Sequence, residues 1–241
     1  LLPLTVGFLL AGPVSGALSD RFGARWFSTG GLLLVAATFG GLMLLPTDFS
    51  YGWFATLVFL NGVGSGLFAA PNTSAIMNSV PARERGMASG MRGTFFNSGT
   101  SLSIGIFFSL MIAGLANTLP RTLTDGLTAQ GVPDATASQI GHLPPVGSLF
   151  AAFLGYNPIQ SLLGPTGVLD SLPQDNVDTL TGKEFFPQLI SEPFHHGLVI
   201  VFSAAAVMTV IAALASLMRG KKYVHDEAAE NRELVEESVV R

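Results

Sequence analysis

Long stretches without a charged residue are the feature that most constrains this chain. Residues 26–45, 52–80, 93–116 and 195–218 contain no Asp, Glu, Lys or Arg. Each stretch is long enough for a membrane-crossing helix, which needs about 20 mostly apolar residues. Only 12% of the 241 residues are charged, whereas soluble domains carry about 25%. The chain therefore belongs in a membrane.

These stretches predict an all-α fold, a polytopic membrane helical bundle. Backbone N–H and C=O groups in lipid must pair within their own segment, so the spans are helices. The alternating ten-residue strands of a membrane barrel are not seen. We expect four spans within residues 1–116, a long extracytoplasmic loop at 117–193, a last span at 194–218 and a cytoplasmic tail at 219–241. Because the first span starts without Met inside apolar sequence, we interpret the chain as a fragment.

The basic residues of the short connections predict the orientation of the bundle, because Lys and Arg concentrate on the cytoplasmic side. The second connection, residues 46–51, has only the charge of Asp48 and is placed outside, with an aromatic belt of Phe49, Tyr51 and Trp53. Three other connections are basic and are placed in the cytoplasm: they carry Arg21 and Arg25, then Arg83, Arg85 and Arg92, then Arg219, Lys221 and Lys222.

The outer loop and the tail differ in character. Residues 148–163 in the loop are apolar but are interrupted by Gly155 and Pro158. This pattern favours a helix that lies against the membrane over a sixth span. The tail from Tyr223 to Arg241 is acidic and amphipathic, which predicts a solvated cytoplasmic helix rather than a partner-binding segment.

The connection between the first two spans, Gly16-Ala17-Leu18-Ser19-Asp20-Arg21-Phe22-Gly23-Ala24-Arg25, has a defined pattern. It resembles the Gly-x-Leu-x-Asp-Arg-x-Gly-x-Arg signature at cytoplasmic turns of the major facilitator superfamily of secondary transporters. The resemblance implies a conformational latch formed by Gly16, Asp20, Arg21, Gly23 and Arg25. Ala24 departs from the strongest form of the motif, as the second-half copy generally does. The alternative is a charged turn that only sets topology.

Further segments are similar to the fourteen-span drug:proton antiporter branch of that superfamily. They are Asn61-Gly-Val-Gly-Ser-Gly66, Ala70-Pro-Asn-Thr-Ser-Ala-Ile-Met77, Val80-Pro81, Arg85-Gly86, Ala88-Ser-Gly-Met91, Thr94, Asn97 and Gly99. The chain then matches the second six-helix bundle without its first helix. The resemblance implies a multi-pass protein of the bacterial plasma membrane that exports drugs in exchange for protons, together with a missing N-terminal bundle.

Polar side chains concentrate in the third and fourth spans, which line the cavity in this family. Asn61 and Asn72 are eleven residues apart, about three helical turns, and Phe68 shares their face. With Asn97 of the fourth span they form the predicted substrate cavity; the alternative is that they only hold helices together. Pro71 is expected to kink the third helix. The second and fifth spans are predicted to face lipid, so changing Thr38 is expected to be nearly silent.

Several function classes are disfavoured. No Asp, Glu, Lys or Arg lies deep in a span, and His195 and His196 lie near the predicted outer end of the last one. The proton-coupling acid is therefore expected outside this chain. The sequence has no Cys and no phosphate-binding Gly-Lys-Ser/Thr loop, and it predicts no catalytic residues, metal, cofactor or nucleic acid. An exporter of another solute, such as a lipid or siderophore, and a membrane receptor or scaffold remain as alternatives.

Overall fold

A computed structural model describes residues 1–46 and 48–219, with all side chains except those of Ala152 and Phe153. The predicted tail helix, Tyr223 to Arg241, lies outside the described residues. The all-α prediction is confirmed. The α-helices in chain order are α1 Leu2–Phe22, α2 Ala24–Met43, α3 Tyr51–Asn78, α4 Arg85–Ala129, α5 Asp134–Gly141, α6 Pro145–Phe153, α7 Ile159–Leu163, α8 Val168–Ser171, α9 Gln174–Thr181 and α10 Phe185–Leu217.

Five of these helices are long and apolar enough to cross a membrane: α1, α2, α3, α4 and α10. The described chain divides into two compact units. Of the described residues, we call 1–103 and 202–219 the membrane unit, and we call 104–201 the outer unit after the predicted outer loop that it contains. α4 and α10 each contribute one part to either unit. The two units are described separately.

In the membrane unit, α3 packs against both α1 and α2. The alternating glycines of α3 make this possible, because a helix places residues two apart on nearly opposite faces. A Cβ at Gly62 would collide with the carbonyl oxygen of Leu4, and one at Gly66 would lie 2.8 Å from that of Phe8, both in α1. A Cβ at Gly64 would instead lie 2.7 Å from the carbonyl oxygen of Gly31 in α2. The glycines thus let three backbones approach one another closely.

Two further contacts hold this unit together. The Ser15 hydroxyl, fully buried, donates a hydrogen bond of 3.1 Å to the carbonyl oxygen of Gly66 across the α1–α3 contact. Phe39 of α2 stacks on Phe202 of α10, with ring centroids 5.9 Å apart. Gly62 and Gly66 thus permit close helix packing, whereas a Cβ at Gly86 or Gly90 would meet no neighbour within 4 Å in the described chain.

The outer unit contains the segment that the sequence predicts only as a long loop. α4 continues past residue 116 and presents a buried leucine stripe at every fourth position: Leu115, Leu119, Leu123 and Leu127. These side chains form a core with buried residues of the following short helices and of the start of α10. Four residues per step match one face of a 3.6-residue helix. The outer segment therefore has an apolar core of its own.

α10 begins at Phe185, earlier than the predicted start at 194, so His195 and His196 lie within the helix rather than at its end. The apolar piece at 148–163 overlaps α6 and α7, which are separated by Gly155 with a φ of 66° and by Pro158. The interruption predicted from these two residues is confirmed.

Candidate functional site

The signature turn is a tight reversal between α1 and α2. Gly23 has a φ of 88° and serves both as the C-cap of α1 and as the N-cap of α2. Its N–H donates a hydrogen bond of 2.8 Å to the carbonyl oxygen of Ser19. Residues with a side chain rarely adopt such a positive φ, so this position favours glycine. The turn places Asp20 and Arg21 in the last turn of α1 directly before Arg25 in the first turn of α2.

A cleft of about 560 Å³, which we call the signature cleft, opens beside this turn. Its walls come from three parts of the membrane unit: residues 19–26, the C-terminal end of α3 from Ser74 to Ser79, and Arg219 after α10. Four of the five predicted latch residues, namely Asp20, Arg21, Gly23 and Arg25, line it. Gly16 lies about one turn deeper in α1, where an added Cβ would lie 3.8 Å from the side chain of Ala70.

The charges in the cleft are mostly positive. The Arg25 guanidinium lies over the ring of Trp26, 5.6 Å from its centroid, a distance at which a cation is attracted to the π face. Arg219 donates a hydrogen bond from Nη2 to the Oδ1 of Asn72. Its other terminal nitrogen, Nη1, is buried without a hydrogen-bond partner among the described residues. Arg219, expected only to set topology, is therefore part of the site.

The two asparagines of the predicted cavity both bond to neighbouring elements. The Asn61 amide donates a hydrogen bond of 2.8 Å to the Thr38 hydroxyl of α2, and Asn72 accepts the one from Arg219. These contacts favour the alternative interpretation for this pair, in which the amides hold helices together. Phe68, on the same face of α3, is half-buried.

The other two predicted residues differ in exposure. Pro71 is fully buried, and α3 continues through it. Asn97 is exposed on α4 and shares a helical face with Thr94 and Ser101, which are also exposed. The structure thus brings Asn61, Phe68 and Asn72 into the packed part of the membrane unit, whereas Asn97 presents its amide on an open face.

The prediction that polar residues of the second and fifth spans face lipid is wrong for Thr29, Thr38 and Ser216, which are buried. Thr38 is only 2% exposed. The Thr29 hydroxyl donates a hydrogen bond of 3.2 Å to the Ser216 hydroxyl of α10, and both residues are buried. A hydroxyl in an apolar environment needs a partner. Helix α10 provides it for Thr29 and helix α3 for Thr38, whereas the Ser28 Oγ is buried without a hydrogen bond among the described residues. A polar residue on an otherwise apolar span favours such a contact between helices, but the sequence does not indicate which helix provides the partner.

Comparison with known proteins identifies a family that the chain matches. A model of the Major Facilitator Superfamily matches residues 3–123. The Tetracenomycin C resistance and export protein of Streptomyces glaucescens is 25% identical over 95% of this chain and 38% of its own length. The Methyl viologen resistance protein SmvA of Salmonella typhimurium is 34% identical over 57% of this chain and 28% of its own length.

A third relative, the Multidrug resistance protein Stp of Mycobacterium tuberculosis, is 32% identical over 56% of this chain and 24% of its own length. The chain thus spans between 24% and 38% of the length of these three relatives. No solved structure matches the chain significantly.

Proposed function

The chain belongs to the Major Facilitator Superfamily, and from this premise we propose that it is part of a proton-driven secondary transporter that exports amphipathic toxic molecules. The transporter would lie in the plasma membrane and work by alternating access. The names of three relatives, which concern resistance or export, support an efflux role. The observation that carries the proposal is the signature cleft, where a charged turn meets the ends of α3 and α10.

The cleft suits a latch because its charges come from separate helices. Asp20 and Arg21 end α1, Arg25 begins α2, and Arg219 follows α10. A relative movement of these helix ends changes the distances between charges and hence the free energy of each conformation. A difference of only about 1.4 kcal/mol changes the population ratio tenfold. The latch thereby sets how strongly each conformation of the transporter is populated.

A substrate path needs polar groups that are not already engaged in helix packing. The exposed face of α4 with Thr94, Asn97 and Ser101 provides such groups next to apolar side chains. We assign this face, with Asn97 at its centre, to the substrate path. Phe68 remains the aromatic candidate on α3 for attraction of a cationic substrate. The coupling protons use an acid outside this chain.

The test is efflux of ethidium from drug-sensitive bacterial cells that express the full-length protein. We expect export that stops when a protonophore collapses the proton gradient and that persists when ATP alone is depleted. Ethidium efflux that is unchanged by the protonophore would overturn the proposal that export is coupled to protons. Cells in which neither ethidium nor methyl viologen is exported would argue against a drug exporter.

The latch is tested in the same cells with Asp20→Asn, which removes the carboxylate at nearly constant shape. We expect several-fold slower efflux at equal amounts of protein in the membrane. The matched control is Asp48→Asn in the connection between α2 and α3, which loses the same charge on an exposed residue and is expected to leave efflux unchanged. Equal efflux by both variants would support the alternative that the turn only sets topology.

A further inference from the structure

The geometry points to the signature cleft as a binding site for the phosphate group of an anionic phospholipid, with Arg219 as its main ligand. The site does not depend on transport, but its placement in the cytoplasmic leaflet rests on the orientation proposed from the basic connections. Basic pockets between membrane helices on the cytoplasmic side suit anionic headgroups.

The charge of the cleft selects an anion. Among the described residues, three arginines, Arg21, Arg25 and Arg219, line it with one carboxylate, that of Asp20. The excess of two positive charges attracts a phosphodiester and disfavours a cation. A guanidinium presents its N–H groups in a planar fork that matches two phosphate oxygens.

Arg219 identifies the point at which the phosphate binds. Its Nη2 is already held by Asn72, which fixes the guanidinium plane. Its Nη1 is buried and unpaired within the described chain. A buried charged donor without an acceptor is costly, whereas an anionic oxygen placed there satisfies it. Since Asn72 orients the guanidinium through Nη2, Nη1 is positioned to donate to the ligand.

The surroundings of the cleft favour a lipid over a free phosphate ion. Phe22 and Trp26 line the same cleft and are 69% and 67% exposed. Aromatic rings at this level are typical of the boundary between headgroups and acyl chains. A cleft of about 560 Å³ also holds far more than one inorganic phosphate. An occupant with a phosphate and an attached apolar part matches both features.

The test measures lipid-dependent thermal stability of the purified full-length protein in detergent. The protein is titrated with phosphatidylglycerol, with phosphatidylcholine and with inorganic phosphate at constant ionic strength. We expect phosphatidylglycerol to raise Tm in a saturable manner and phosphatidylcholine to do so much less. Arg219→Gln is expected to weaken the phosphatidylglycerol response by about tenfold in midpoint concentration, which corresponds to about 1.4 kcal/mol.

Two further variants complete the experiment. Arg121→Gln removes the same charge from an 89% exposed side chain in the outer unit and is expected to respond like the wild type. Arg25→Gln leaves the Arg219–Asn72 contact in place and, if Arg219→Gln fails to fold, tests the site alone with an expected several-fold loss. A response that is the same in Arg219→Gln, Arg25→Gln and Arg121→Gln overturns the proposal. So does inorganic phosphate that reproduces the full phosphatidylglycerol response, because the site then takes the free ion.

Discussion

Thr38 shows how a single hydroxyl can join a membrane helix to its neighbour. It is buried in α2, donates a hydrogen bond of 2.7 Å to the carbonyl oxygen of Val35 and accepts one of 2.8 Å from the Asn61 amide. The same hydroxyl thereby pairs within its own helix and with α3. Counting polar residues along α2 gives no indication of this pairing. A substitution that was expected to be silent therefore acts at a helix contact.

We predict that Thr38→Val destabilises the full-length protein in detergent, because it leaves the Asn61 amide without its acceptor. The expected loss is about 0.6 kcal/mol and at most about 1.7 kcal/mol, the range for hydrogen bonds between membrane helices. The measurement is the free energy of unfolding, from reversible denaturant titration. Thr56→Val is the control, since the exposed Thr56 donates a hydrogen bond to the carbonyl oxygen of Gly52 in its own helix and, among the described residues, to no other helix.

A double-mutant cycle with Asn61→Leu isolates the pair. If the hydrogen bond stabilises the helix contact, the double variant loses less free energy than the sum of the two single variants. Strict additivity would mean that the two side chains do not interact. In that case Asn61 would again be free to serve the substrate cavity.

At the scale of the element, the packing of α3 against its two neighbours depends on which of its faces carries each glycine. Gly62 and Gly66 face α1, and Gly64 faces α2. We predict that Gly62→Ala destabilises the protein by about 1–3 kcal/mol, the usual cost of overpacking, because the added Cβ meets backbone that cannot rotate away. The readout is the thermal midpoint together with the yield of monodisperse protein.

Gly40→Ala in α2 is the matched control, since a Cβ there meets nothing within 4 Å. It is expected to be neutral or to stabilise by up to about 1 kcal/mol through helix propensity. If Gly62→Ala is as stable as Gly40→Ala, the close approach of α1 and α3 is absent in the protein.

The sequence predicts the membrane helices well because a span needs only length and apolar composition. It predicts their partners poorly. Whether the amide of Asn61 faces a cavity or Thr38 depends on which helices adjoin, and a single sequence does not record this. The signature turn is recognisable in the sequence because its residues are consecutive, whereas Arg219 reaches the same cleft from a distant part of the chain. The apolar pattern does not predict the C-terminal end of α4, because its outer half is stabilised by a leucine stripe rather than by lipid.

That stripe yields a prediction for α4. Leu123→Ala removes a side chain that is 1% exposed in the core of the outer unit, at an expected cost of about 2–5 kcal/mol. We expect the outer segment of intact cells to become sensitive to external protease. Leu154→Ala, at a side chain 76% exposed, is the control and should leave resistance unchanged. Equal sensitivity of both variants would argue against a folded outer unit.

At the scale of the whole molecule, the orientation in the membrane links the proposals. The signature cleft is proposed to lie at the cytoplasmic face of the membrane, within reach of the inner leaflet, and residues 117–193 are proposed to lie outside. The cytoplasmic placement rests on the basic residues of the short connections. The placement of residues 117–193 rests on the order of spans, because successive connections alternate between sides. A reversed orientation would move the signature cleft to the outer leaflet.

We therefore predict the accessibility of single cysteines in intact cells, measured with a membrane-impermeant thiol reagent on the full-length protein with any other cysteines replaced. Ser50→Cys, before α3, and Ser171→Cys, at the end of α8, are both exposed and are expected to react from outside. Ala82→Cys, in the basic connection before α4, is also exposed and is expected to react only after the cells are permeabilised. Because all three sites are exposed, a difference between them reports the side of the membrane rather than burial. Reaction of Ala82→Cys alone in intact cells would invert the orientation.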